Sequence, residues 1–169
     1  MSDQPDPPDS SPIRLTHLDE AGAARMVDVT AKTPAVRTAS ATAVVDCSPS
    51  VVAALRDGAV PKGDVLAVAR VAGIAAAKRV PELLPLAHVI GVHGCRMDLA
   101  VEDDGVHIRA TVRTADRTGV EMEALTAATV AGLAVVDMVK GVDRGVALRD
   151  ARVTAKSGGR SGDWVRPAD

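Results

Sequence analysis

The chain is constrained most by residues 124–136, ALTAATVAGLAVV, which carry no charge although Glu121 and Glu123 precede them and Asp137 and Lys140 follow. The run is too long for an ordinary strand and reads as the middle of a helix over 119–140. A helix that is apolar all round must be buried. Its charged ends then mark where burial stops, at the mouth of a pocket or an interface, where acid, base and cation meet. The run falls short of the ~20 apolar residues that a bilayer span needs, so no membrane segment is expected.

The flanking patterns supply what covers such a helix. Residues 36–47 have β-branched content and rough alternation and read as a strand. Ser48-Pro49 sets a capping serine and a proline at the first position of a short helix ending near Gly58. Pro61-Lys62-Gly63 is a turn, and Asp64 is a good N-cap for a helix over 65–79 whose interior charge is Arg70. Residues 95–101 and 106–113 alternate around Asp103-Asp104-Gly105 and read as a hairpin, with Val106, Ile108, Ala110 and Val112 inward. A last strand over 148–156 turns Ala151, Val153 and Ala155 inward. The order strand, helix, strand, strand, helix, strand is the ferredoxin-like βαββαβ pattern. It makes an α+β domain over 13–164, with an antiparallel four-stranded sheet, helices on one face and the helix after Ser48 as an extra. Residues 1–12, with four prolines and three aspartates, read as a disordered tail, and 165–169 as a flexible C-terminus. Both long helices are more apolar than one sheet face requires, so an oligomer is expected.

Composition removes several functions. The net charge of −2 over 169 residues provides no basic field for nucleic acid. With no Phe, no Tyr and Trp164 as the one Trp, little is left to stack on a base. Cys47 and Cys95 have no paired spacing and read as reduced thiols. The N-terminal MSDQPDPPDSSPI lacks the apolar core of a signal peptide, which points to the cytoplasm. His17, His93 and His107 form no metal spacing with acids or thiols, so no metal site is expected and no cofactor is required.

Several side chains are candidates for chemistry, each with a plainer alternative. Asp137 and Lys140 share a helix face; as a surface pair they are worth ~0.2–0.5 kcal/mol. At the rim of a buried helix, however, a carboxylate beside a lysine can hold or accept a proton. Glu121 and Glu123 suit a helix start by dipole alone, ~0.3–1 kcal/mol each. Two positions apart, they point to different faces, so a pocket should meet at most one of them. Lys62, just ahead of a helix N-terminus, is a solvated turn lysine or a phosphate ligand. His88 ends the run Pro85-Leu86-Ala87 and is a hydrogen-bonded rim residue or a proton shuttle. Arg70, Lys78, Arg79, Arg113 and Lys156 are each more simply solvated, or face one cleft together. The segment 156–162, KSGGRSG, lacks the context of a P-loop and reads as an inter-subunit contact or a phosphate clamp. Glu123 and Asp137 lie ~21 Å apart along one continuous helix. A single small site uses both only if they come from two subunits.

TGVEMEALTA (118–127) followed by DMVK (137–140) resembles the signature of the cyclic pyranopterin monophosphate synthase family, the second enzymes of molybdenum cofactor biosynthesis. LTHLDEAGAARMVDV (15–29), KGDVLAVARVAGIAAAKR (62–79), ELLPLAH (82–88) and AKSGGRSG (155–162) agree in order, so the resemblance covers Ile13 to Trp164. It implies the same ferredoxin-like fold, a hexamer built as a trimer of dimers, and active sites shared at the dimer interface. It implies a lyase that converts 3′,8-cyclo-7,8-dihydro-GTP to cyclic pyranopterin monophosphate with release of diphosphate. It also implies catalytic roles for Asp137, Lys62, Lys140 and His88, and substrate contacts from Leu86, Ala87, His88, Glu121, Met122 and Glu123. The family's usual Pro-Leu-Cys-His-Pro reads Pro-Leu-Ala-His-Val here, with Ala87 for the Cys and Val89 for the Pro. The alternative is a non-catalytic ferredoxin-like module that binds a small ligand, or a diverged inactive paralogue. Mg²⁺ is compatible with a triphosphate substrate, although no acidic cluster is diagnostic for it.

Overall fold

The alternation of the central strands decides the architecture. In the computed structural model, which describes residues 18–19, 21–160 and 162–168, β1 (Ala35–Asp46) buries Ala39, Ala41, Ala43 and Val45 on one face. The tail expected over 1–12 and His17 lie outside the described residues. After β1 come α1 (Pro49–Arg56), α2 (Val65–Ala77), the one-turn α3 (Val80–Leu83), β2 (Gly94–Glu102), β3 (Gly105–Asp116), α4 (Glu121–Val139), β4 (Ala147–Ser157) and β5 (Trp164–Val165). The sheet is antiparallel throughout, in the order β2-β3-β1-β4-β5. Its first four strands have the ferredoxin-like order, and α1 is the extra helix. Pro49 opens α1 behind Ser48, whose side chain makes no cap bond. Asp64 caps α2 by accepting from the Ala67 N–H at 2.9 Å.

α4 lies across β1, β3 and β4, and α2 lies beside it over β2. Small residues let the two helices approach closely. Ala69, Gly73, Ala76 and Ala77 of α2 and Ala124, Ala127, Ala128 and Ala131 of α4 are all buried. A Cβ on Gly73 would stand 2.8 Å from the Ala127 carbonyl oxygen and 2.7 Å from Met97 Cε. By length and composition α4 could cross a bilayer, yet half of that window is buried inside this fold.

Three expectations need correction. The sheet has five strands, because Val165 pairs with Ala155 and Trp164 with Lys156; two residues are too few for alternation to announce. The Arg166 N–H also bonds the Thr154 carbonyl at 2.8 Å, so the terminus expected to be flexible begins as a strap on β4. Finally, β4 does not turn Ala151, Val153 and Ala155 to one face. Its register on β1 slips between Ser40 and Ala41 and again between Thr42 and Val44, and Asp150 takes a positive φ of 53°. These bulges put Leu148 opposite Val45 and Val153 opposite Ala41 on the helix face, with Ala155 beside Ser40 on the other.

Candidate functional site

Two clusters stand at opposite ends of α4. At its N-terminus a groove of about 1010 Å³ runs between the loop after α3 and the first turn of α4. Leu86, Ala87 and His88 form one wall, Glu121, Met122 and Glu123 the other, and Val27 and Ile90 contribute apolar surface. A His88 ring nitrogen lies 2.6 Å from the Val27 carbonyl oxygen, which makes that nitrogen the donor and fixes the ring on the groove wall. Glu123 is 4 % exposed. Burial pushes its carboxyl above the usual range; the repulsion of Glu121 adds to this, while its own backbone N–H and His88 act the other way. A carboxyl raised in this way keeps its proton more readily than an exposed glutamate and is a candidate acid or base.

Glu121 and Glu123 share this groove, contrary to the expectation from their spacing. That spacing argument assumes a regular helix on both sides. Here α4 begins at Glu121, and the Glu121 carboxylate folds back so closely over Gly119 that any Cβ there would collide with it. Glycine at 119 therefore lets the first acid reach the same space as the second.

At the C-terminus of α4, Asp137 lies between two lysines. Lys140 Nζ is 2.7 Å from Oδ1, and Lys62 Nζ is 3.1 Å from Oδ2 and 2.8 Å from the Asp137 carbonyl oxygen. Lys62 thus neutralises the negative end of the α4 dipole instead of serving the start of α2. The ammonium groups, Lys140 first, hold the Asp137 carboxyl below its usual range. All three side chains are about half exposed, and none lines the groove. The structure therefore brings Leu86, Ala87, His88, Glu121, Met122 and Glu123 together, and Lys62, Asp137 and Lys140 together. Within one chain it keeps the two sets ~21 Å apart along α4.

A cationic recess adjoins the groove. Lys32, Arg37, Arg117 and Lys156 line it with Thr118, Gly119 and Glu121, and Lys32 and Arg160 also face the groove. Arg37 Nε donates to the Asp116 carbonyl at 3.0 Å, and Arg117 Nε donates to that of Lys32 at 3.0 Å. Gly158 and Gly159, at φ 83° and 78°, lie against Val36 and the Arg37 guanidinium, where a Cβ would collide. Sequence reasoning missed Lys32, Arg37 and Arg117, which meet only through the fold, whereas Arg160 belongs to the 156–162 segment that it read as an inter-subunit contact or a phosphate clamp. Of the cations grouped with Lys156 by sequence, Arg70 turns to the Met97 carbonyl. Neither it nor Lys78, Arg79 or Arg113 lines the groove or the recess. Among the described residues no three His, Cys, Asp or Glu side chains gather to hold a metal ion.

The sequence pattern of the MoaC family matches residues 26–159. The chain belongs to the MoaC family. Relatives named cyclic pyranopterin monophosphate synthase include one from Streptomyces coelicolor, 62% identical over 153 residues and 90% of each chain. Another, from a Nocardioides species, is 60% identical over 160 residues, covering 93% of this chain and 98% of the relative. One from Mycobacterium tuberculosis, named cyclic pyranopterin monophosphate synthase 2, is 53% identical over 152 residues, 90% of this chain and 91% of the relative. In this MoaC-family chain the two departures noted above differ in setting. Ala87 lines the groove, whereas Val89 is 87 % exposed and does not line it.

Proposed function

We propose that the chain is a lyase of molybdenum cofactor biosynthesis that converts 3′,8-cyclo-7,8-dihydro-GTP to cyclic pyranopterin monophosphate and diphosphate. Family membership and the name its relatives share support the activity. The observation that carries the site is an acid-lined apolar groove opening onto a cationic recess, the two sharing Lys32, Thr118, Gly119 and Glu121. The base and ribose of the substrate fit between the walls, beside Glu123 and His88, which exchange protons during ring rearrangement. The triphosphate fits the recess, where fixed cations stabilise charge on the departing diphosphate. No resident metal is required of the protein; Mg²⁺ arrives, if at all, on the phosphates.

Asp137, Lys62 and Lys140 join this site from a second copy. Two exposed apolar residues, Met122 and Leu133, lie on one face of α4 between the groove and Asp137. Two copies packed antiparallel along that face set the lysine pair of one against the groove of the other. Ionised Asp137 then holds both lysines toward substrate. Two such sites per dimer and three dimers per hexamer make the assembly, and a GTP-derived substrate places it in the cytoplasm. The decisive experiment incubates pure protein with the cyclised GTP intermediate and follows diphosphate and the fluorescent oxidised pterin. Formation of both is expected, and binding without either product would favour a non-catalytic module.

A further inference from the structure

We propose that Thr114 is a positioning residue whose hydroxyl, with the His93 ring, clamps the loop carrying Leu86, Ala87 and His88 against the strand end that leads into Glu121 and Glu123. The inference rests on the functional reading above for its effect on turnover, and on geometry alone for the clamp.

The inward row of β3 runs Val106, Ile108, Ala110, Val112 and then Thr114, which is 1 % exposed. Valine has the same shape, and a buried hydroxyl is costly without a partner. Thr114 has one: Oγ1 donates to the Gly91 carbonyl at 2.6 Å. Gly91 belongs to the loop between α3 and β2, whose ladder on β3 begins only at Gly94 opposite Arg113. Other bonds converge on the same strand end. The His93 N–H donates to the Arg113 carbonyl at 2.9 Å. Gly91 N–H reaches Asp116 Oδ2 at 3.4 Å.

The imidazole closes the arrangement. His93 Nδ1 accepts from the Ala115 N–H at 3.3 Å and lies 3.3 Å from Thr114 Oγ1. Because Nδ1 accepts from the Ala115 N–H, it is the bare nitrogen and Nε2 carries the hydrogen. The Thr114 hydroxyl gives its proton to Gly91, so the ring meets it by packing and not by a hydrogen bond. The ring rests on Gly91, where a Cβ would come within 2.9 Å of Cε1. Upstream, the loop is tied by the Ala87 N–H to the Leu84 carbonyl and by His88 to Val27. Immediately beyond Asp116 the chain becomes Thr118, Gly119 and the first turn of α4, the opposite wall of the groove. The clamp therefore joins both walls and sets the distance between His88 and the two acids.

The test compares Thr114→Val, which removes only the hydroxyl, with Thr114→Ser, which keeps it. Amide hydrogen exchange over residues 88–92 is expected to speed up at least about tenfold in the valine variant and to return in the serine variant, while β2 and β3 stay protected. KM for the cyclised GTP intermediate is expected to rise at least about fivefold, with kcat changed less than about threefold. Unchanged loop exchange overturns the clamp, and a KM raised less than about fivefold overturns its role in the site. If wild-type protein turns over no substrate, the functional reading fails and the exchange data decide the clamp by themselves. Should Thr114→Val fold poorly, Gly91→Ala lifts the ring with the hydroxyl intact. It must give the same loop exchange and KM, or the proposal falls.

Discussion

Glu123 combines two facts that pull against each other: it opens a helix, where a negative charge is favoured, and it is nearly inaccessible, where a charge is costly. Burial prevails, and the folded carboxyl is raised above its unfolded value. A raised acid binds its proton more tightly in the folded state, so stability is full below the unfolded pKa and is lost as pH rises through the folded one. Glu123→Gln removes that loss. Its melting temperature should exceed that of wild type at neutral pH, with the gap closing toward pH ~4; calorimetry from acid to neutral pH checks this, and turnover should fall in the same variant. Ala87 poses a milder question, since it supplies only volume and backbone to the groove wall. Ala87→Cys should change turnover less than about tenfold, or ~1.4 kcal/mol, whereas a gain of several orders of magnitude would identify the native chain as a crippled paralogue.

At the scale of elements, close packing of α2 on α4 holds the two ends of the site in place. Gly73 has no room for a side chain against the Ala127 carbonyl and Met97. Gly73→Val should lower the unfolding free energy by ~1–3 kcal/mol through overpacking. Ala75→Val, on the exposed side of the same helix, should stay within about 0.5 kcal/mol; urea titration of both variants makes the comparison. A second junction, Lys62 on the last turn of α4, ties the start of α2 to the helix end that carries Asp137. It gives the lysine proposed to meet substrate a structural task as well.

For the whole molecule, the length of α4 separates Glu123 from Asp137, and the exposed Met122 and Leu133 on that helix suit a second copy. Light scattering at micromolar concentration should report an oligomer, the proposed mass being that of a hexamer. Glu123→Ala and Asp137→Ala should each be inactive alone. Refolded together, they should recover activity, with roughly a quarter of sites carrying neither lesion at random pairing. Mixed oligomers confirmed by mass spectrometry but still inactive would put all the chemistry on one chain.

Sequence alone determined the order of the elements, the four principal strands and the buried central helix. These depend on local periodicity: Ala39, Ala41, Ala43 and Val45 alternate whatever lies across from them, and an uncharged run at 124–136 has to be enclosed. The motifs also named six residues that prove to line one groove. Tertiary structure decided what periodicity does not encode. The bulges of β4 depend on its register against β1, and the reach of Lys62 to Asp137 spans residues far apart in the chain. Gly119 puts Glu121 in the same space as Glu123 only because the helix starts there. The recess of Lys32, Arg37 and Lys156 exists only because β1, β4 and the entry to α4 end side by side, since like charges distant in sequence carry no pattern until the fold gathers them.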